Sequence, residues 1–240
     1  MSDRKNMSKE SSQKVAQVDN SLAIYEILKD EIINLTLAPG TVISENSICE
    51  RFSVSRTPVR SVFQRLSDGG FIKIVPYKET VVTLLNLNQI KQMIYMRVAI
   101  ESKMIRDFID RCDPYALERI RYFLRKQLVM LETDFAPSDF FSEDSAFHRI
   151  WYSAMEMDFL WHTIQQSQVH YTRYRMLDYM ANRETGVFPV LEKEHEELFS
   201  IIQKKDKEAV EPMITQHISG GIQRLGERIQ TDLACFFEAS

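Results

Sequence analysis

Apolar residues recur at helical spacing from the twenties of the chain onward. Over residues 21–36, SLAIYEILKDEIINLT, the positions Ile24, Ile27, Leu28, Ile32 and Leu35 fall on one side of a helix, the repeat of an amphipathic segment. Ser21 stands where an N-cap oxygen is wanted. Ala38-Pro39-Gly40 interrupts the pattern. Ser44 then opens a second, shorter helix that turns Ile48 and Phe52 inward, and Ser53-Val54-Ser55 predicts a tight connection. A third helix over 56–67 starts at Ser55, with Pro58 in the first turn, where the missing N–H costs nothing. Its buried stripe is Val59, Val62, Phe63 and Leu66, and Asp68-Gly69-Gly70 ends it. Two alternating runs, 71–75 and 80–84, are joined by Pro76-Tyr77-Lys78-Glu79 and predict a hairpin.

From Asn88 onward no strand pattern is found. Amphipathic periodicity predicts six long helices at roughly 88–110, 114–133, 137–155, 157–182, 187–204 and 206–235. The expected fold class is mainly α: three helices and a β-hairpin in the manner of a winged helix-turn-helix, then an all-α six-helix bundle. The expected layout is a disordered tail over 1–20, a head over 21–85 and a helical domain over 88–235.

Composition narrows the class. The 240 residues are 44% hydrophobic and 27% charged, the make-up of a globular protein rather than a disordered or membrane chain. No apolar run approaches bilayer length, and the first twenty residues lack the apolar core of a secretory signal. Cys49, Cys112 and Cys235 are odd in number and far apart; reduced thiols and a cytoplasmic location are expected. The net charge is −4. Residues 1–88 hold 11 Lys and Arg against 10 Asp and Glu, a balance of +1; the remainder holds 19 against 24, a balance of −5. Bulk charge therefore gives no support for binding phosphates, and any basic footprint must be local.

The third helix supplies one. Opposite its apolar stripe, Arg56, Arg60 and Gln64 fall at i, i+4 and i+8. The planar fork of arginine suits guanine and phosphate, and Ser55 and Thr57 sit at a helix N-terminus, where an anion is favoured. Such a face is by itself most simply a solvated one. The order helix, helix, helix, hairpin moves the balance toward a DNA reader whose third helix enters the major groove. The stretches Leu37-Ala38-Pro39-Gly40, Ser44-Glu45, Phe52-Ser53-Val54-Ser55-Arg56-Thr57-Pro58-Val59-Arg60 and Arg65-Leu66-Ser67-Asp68-Gly69-Gly70-Phe71-Ile72 resemble the head of the GntR family of bacterial regulators over residues 21–84. The resemblance implies operator contacts by Arg56 and Arg60, with Ser55 and Thr57 on phosphates. Such heads carry a glycine at the hairpin tip; here Glu79 stands in its place, and Lys78 and Lys73 are the basic residues left in the wing.

The chain has five histidines: His148, His162, His170, His195 and His217. Asp144 and His148 share one helix face at i, i+4, while His195 and His217 lie on two later helices. One carboxylate and three imidazoles from three helices can converge inside a bundle, where they suit zinc, nickel, iron or manganese; each can equally be an unrelated polar residue. Ile94-Tyr95-Met96-Arg97-Val98-Ala99-Ile100-Glu101, Asp144-Ser145-Ala146-Phe147-His148, Glu194-His195 and Gln216-His217-Ile218 resemble the FCD ligand-binding domain of the FadR subfamily over residues 88–232. A count of six helices is similar to the VanR-like branch. The resemblance implies one divalent transition metal per chain, zinc or nickel foremost, held by Asp144, His148, His195 and His217, with open positions for a small organic acid.

Arg97 lies within an apolar helix, where an unpaired charge is costly. It is either an ion-pair partner, of Glu101 at i+4 or of a group on another helix, or a clamp for the effector carboxylate. His170, Tyr171 and Arg173, with Arg175 beside them, are further candidates to line the effector cavity. Trp151 and Trp161 read as core, and residues 192–197 as a solvated face around one inward histidine. The expected function is that of a non-enzymatic regulator binding an inverted-repeat operator, a homodimer because two half-sites need two heads. The rivals are a metalloenzyme, which the three histidines and aspartate would permit, and a ligand-binding protein whose head contacts other proteins.

Overall fold

The computed structural model describes residues 21–75, 78–111, 114–184 and 186–239. The expected N-terminal tail and the wing residues Pro76 and Tyr77 lie outside them. The chain forms two compact units: residues up to Leu85 together with those from Cys235 onward, and Asn86–Ala234.

In the first unit, helix α1 covers 21–33. Ser21 is already helical, so the cap of α1 falls outside the described residues. Ile24, Leu28 and Ile32 are buried against the rest of the head. Helix α2 (Glu45–Phe52) is capped by Ser44, whose Oγ accepts the Ser47 N–H at 3.0 Å. Ser53 then takes a left-handed conformation, φ 53°, and this one residue turns the chain into helix α3 (Arg56–Asp68). Val59, Val62, Phe63 and Leu66 are fully buried, as the periodicity demands. At the end of α3, Gly70 carries the positive φ (73°). Gly69 is required for a different reason, since a Cβ there would meet the Phe71 ring at 2.9 Å.

The hairpin pairs β2 (Ile72–Ile74) with β3 (Thr80–Val82) in antiparallel register, Ile72 opposite Val82. A third strand that the pattern did not announce, β1 (Val42–Ile43), lies on the other side of β3, giving the order β1-β3-β2. It is two residues long, too short for any alternation to register. Beyond β3 the C-terminal tail joins the same unit. Leu85 donates its N–H to Phe236 O at 2.8 Å and accepts from Glu238 N–H at 3.0 Å, with Phe237 buried alongside.

The second unit is all helix: α4 (Leu87–Arg111), α5 (Pro114–Leu131), α6 (Pro137–Ala154), α7 (Asp158–Ser167), α8 (Val169–Ala181), α9 (Val187–Lys204) and α10 (Lys207–Leu225). Seven α-helices are thus described where six were expected, because the element expected over 157–182 breaks at Gln168 (φ −101°, ψ 23°). The break is silent in the sequence: neither Pro nor Gly marks it, and the buried stripe of Trp161, Ile164, Tyr171 and Tyr174 keeps helical spacing across it. The likeness to a six-helix branch therefore loses the count on which it rested. The last helix also stops early, at Gly226 (φ 50°), and short 3-10 turns carry the chain on toward the tail. Trp151 and Trp161 are core residues. Phe140 of α6 stacks on Phe188 of α9 with ring centroids 4.4 Å apart. Gly221 brings α10 close to α8: a Cβ there would lie 2.5 Å from the Tyr174 hydroxyl.

A chain ending at Ala234 removes the acceptor of the Leu85 amide and the buried Phe237 ring. Hydrogen exchange at the Leu85 amide should speed up by at least about tenfold, equivalent to roughly 1.4 kcal/mol of opening free energy. Unchanged protection would mean that the tail adds nothing to the head.

Candidate functional site

Helix α6 buries Asp144 and His148 on one face, α9 buries His195, and α10 buries His217. Their ligand atoms all lie within 4.8 Å of one another. His148 Nε2 is 3.0 Å from His217 Nε2, which is 3.3 Å from His195 Nε2; Asp144 Oδ1 is 3.3 Å from His195 Nε2. With metal–nitrogen bonds of about 2.0–2.1 Å, adjacent ligands lie about 2.8–3.0 Å apart in an octahedral shell and about 3.3–3.4 Å apart in a tetrahedral one.

The far side of each imidazole decides its tautomer. His148 Nδ1 meets Glu101 Oε2 of α4 at 2.5 Å, His217 Nδ1 meets Glu194 Oε2 of α9 at 2.8 Å, and His195 Nδ1 meets Gln127 Oε1 of α5 at 2.9 Å. Burial alone would raise Glu101, but the Arg97 guanidinium and the His148 ring hold it down at about 2. Glu194 is likewise lowered, against burial, by its hydrogen bond from His217. Both are therefore carboxylates and accept, so each Nδ1 carries the proton and each Nε2 turns a bare lone pair inward. Burial pushes all three histidines down, His195 to about 4, so the rings are neutral at pH 7.

Asp144 completes the set. Its Oδ2 accepts from Arg175 Nη1 of α8 at 2.7 Å, while its buried Oδ1 has no hydrogen-bond partner. Burial would raise this carboxyl, yet Arg175 keeps it well below its ordinary value. Four acceptors thus converge in a space from which water is largely excluded, with no donor among them. That donor set fits a divalent cation.

Arg97 is 4% exposed and donates Nε–H to Glu101 Oε1 at 2.7 Å. It supports the partner of His148. A narrow cleft of about 10 Å³, room for roughly one water, reaches His217 and is lined by Tyr171, Tyr174, Arg175 and Arg224 among others. Of the expected effector residues Tyr171 lines it, its hydroxyl donating to Ile218 O at 3.2 Å. Arg97, His170 and Arg173 do not line it. His170 Nδ1 accepts the Asn86 N–H at 3.3 Å, and Arg173 is wholly buried, its guanidinium lowered to about 10 by burial. Sequence reasoning named Glu101 only as a partner for Arg97, read Glu194 as part of a solvated face although Glu192 and Glu194 are both buried, overlooked Gln127 and Arg224, and left Arg175 secondary. Glu194, adjacent to His195, was the one with a local signal; the others act from separate helices.

In the head, Ser55, Arg56, Thr57, Arg60 and Gln64 are all exposed on one end and face of α3. The Ser55 side chain makes no capping bond. Arg56 Nη2 donates to Asn46 Oδ1 at 3.0 Å, Arg60 Nε to Glu45, and Gln64 Nε2 to Asp68 Oδ1 at 2.8 Å. Lys73, Lys78 and Glu79 are exposed in the hairpin.

Comparison with known proteins follows the same division. The sequence model described as "Bacterial regulatory proteins, gntR family" matches residues 20–82, and the model of the FCD domain matches 92–220. The chain is 32% identical over 200 residues to the HTH-type transcriptional repressor RspR of Escherichia coli strain K12, covering 81% of this chain and 84% of that one. It is 22% identical to the uncharacterized HTH-type transcriptional regulator YdhC of Bacillus subtilis strain 168, covering 85% and 90%. In fold it is similar to E. coli McbR/YncC, with TM-score 0.65, 20% identity and coverage of 87% of this chain and 98% of that one. A GntR regulator structure from Rhodococcus sp. RHA1 gives TM-score 0.64 at 20% identity, with the same coverage.

The lowered histidines have a stability consequence. An unfolded-chain histidine titrates near 6.5, whereas His195 titrates near 4 when folded. Between those values the unfolded chain binds a proton that the folded chain refuses, so stability present above pH 6.5 is lost as pH falls toward 4. Metal-free protein should melt at steadily lower temperature from pH 7 to about pH 4.5, and His195→Gln should flatten that slope. Parallel slopes in circular-dichroism melts would contradict a neutral, buried His195.

Proposed function

Since this chain belongs to the GntR family of bacterial DNA-binding transcriptional regulators and carries the family's FCD domain, we propose that it is a metal-containing sensor whose operator affinity responds to a small carboxylate. It acts as a regulator and not as an enzyme. No helix among the described residues is long and apolar enough to cross a membrane, and the proposed place of action is the cytoplasm, where the DNA is.

The observation that carries the sensor reading is the donor-free convergence of Asp144 Oδ1 with three imidazole Nε2 atoms. One divalent transition metal, zinc or nickel before iron or manganese, would be held there by Asp144, His148, His195 and His217. When bound, it would supply a Lewis-acidic position for a carboxylate oxygen. Around it, Glu101, Glu194 and Gln127 fix the ring orientations, Arg97 keeps Glu101 ionised, and Arg175 steadies Asp144. Arg175, Arg224, Tyr171 and Tyr174 in the adjoining cleft would orient an anionic effector.

The reading of DNA is assigned to α3. Arg56 and Arg60 would meet base edges or phosphates, Ser55 and Thr57 phosphates, with Gln64 further along the same face and Lys78 from the wing. A homodimer would present two such helices to an inverted repeat. An effector acts only through its differential affinity for two packings of the bundle. Helix α4, which carries Arg97 and Glu101, begins two residues after Leu85 of the head, so a change in its packing would have a short covalent path to the reading helices.

Purified protein should contain about one divalent metal per chain by elemental analysis. The His195→Ala/His217→Ala variant should lose it and melt at a lower temperature, since metal binds only the folded state. Full occupancy in that variant would place the ligands elsewhere. Arg56→Ala/Arg60→Ala should abolish the mobility shift of a duplex selected by the wild type, each bidentate base contact being worth about 1–3 kcal/mol. Its metal content should stay intact. Undiminished DNA binding would remove α3 from the interface.

A further inference from the structure

We propose that Glu45, at the start of α2, is a specificity-determining positioning residue: it neutralises and aims Arg60 so that this arginine reads a base rather than the general phosphate charge. The inference rests on α3 being the reading helix.

Both Glu45 carboxylate oxygens lie 3.0 Å from Arg60 Nε. The carboxylate thus takes the Nε edge of the guanidinium. No bond to either Nη group is found among the described residues, so the two-pronged end that pairs with guanine O6 and N7 is left to project. The neighbouring arginine is treated differently. Arg56 is held through Nη2 by the neutral amide of Asn46, at 3.0 Å, and keeps its whole charge. The first turn of α2 therefore sorts Arg56 and Arg60 of α3 into one uncompensated and one charge-compensated group.

The arrangement does not need Glu45 for folding. The pair is exposed, with side-chain exposures of 64% for Arg60 and 34% for Glu45, and exposed pairs add little to stability. The α2 cap is made by Ser44 and Ser47. Glu45 also favours the positive end of the α2 dipole, but that effect would act on stability alone. A carboxylate beside the groove repels phosphate on every sequence. It therefore weakens non-specific binding uniformly, while an aimed Nη fork retains its contact only where guanine is present. In a head whose overall charge is near balance, discrimination by such local means matters more than attraction.

The test uses the full-length metal-loaded protein and two duplexes of equal length: one selected by the wild type from a random-sequence pool, and a shuffled version of it. Glu45→Gln removes the charge. It should tighten binding to the shuffled duplex several-fold at low salt, steepen its salt dependence by about one ion, and lower the melting temperature only slightly, by the lost helix-dipole contribution. Glu45→Ala also removes the aim and should in addition weaken the selected duplex. In both, the ratio of the two affinities should fall by about fivefold to tenfold. In an Arg60→Ala background, Glu45→Gln should no longer change that ratio. If Arg60→Ala weakens the selected duplex but both Glu45 variants keep the wild-type ratio, the role of Glu45 is overturned and the reading helix stands. If Arg60→Ala leaves the selected duplex unaffected, both fall.

Discussion

Three imidazole nitrogens and a carboxylate oxygen, all bare of protons, face one another in the interior of the bundle, and much of the helical unit is arranged around that fact. Without a cation the four lone-pair donors repel; each is kept in place by a group behind it. Glu101, Gln127 and Glu194 grip the outer nitrogens of the three rings, and Arg175 grips the outer oxygen of Asp144. Those supporting groups come from α4, α5, α9 and α8, while the four inner residues come from α6, α9 and α10. Among the described residues, six of the seven α-helices of the unit thus contribute to one polar centre, and α7 does not.

The charges around the centre are also mutually dependent. Arg97 is buried, and its cost is offset by Glu101, which in turn is held ionised and so accepts from His148. Removing Glu101 would leave the Arg97 guanidinium buried without its carboxylate, a strongly destabilising state. The same carboxylate ties α4, which begins two residues after Leu85, to His148 of α6. The chain crosses between the two units twice, after Leu85 and before Cys235, and within the head the second crossing is pinned to the first by backbone hydrogen bonds at Leu85.

The head works with little net charge. Arg56 and Arg60 are each held by a residue of α2, one by an amide and one by a carboxylate. Ser44, which caps α2, directly precedes Glu45 and Asn46, and Ser53, which turns the chain into α3, lies just before Arg56 in sequence. Local structure and recognition are therefore coupled at the level of single side chains.

Most of the local architecture was legible from the chain alone, because helical periodicity and glycine or proline breaks are short-range properties. The stripe of α3, the cap at Ser44, the stop after Asp68 and the hairpin follow from residues within a turn or two of one another. Asp144 with His148 was visible for the same reason, being one helical turn apart, and the four clustered residues could be named from a family pattern. What the sequence could not determine is what depends on packing. The break at Gln168 leaves the apolar stripe in phase and so has no local signature. The two-residue strand β1 exists only because β3 offers it hydrogen bonds. Glu101 and Gln127 lie 47 and 68 residues from the histidines they orient; nothing along the chain links them, and only the folded bundle brings their oxygens to those rings. Arg97 shows the difference most directly. Its spacing from Glu101 allowed an ion pair or an effector clamp. The tertiary structure decided for the ion pair, since burial made an unpaired guanidinium too costly and placed a carboxylate 2.7 Å away.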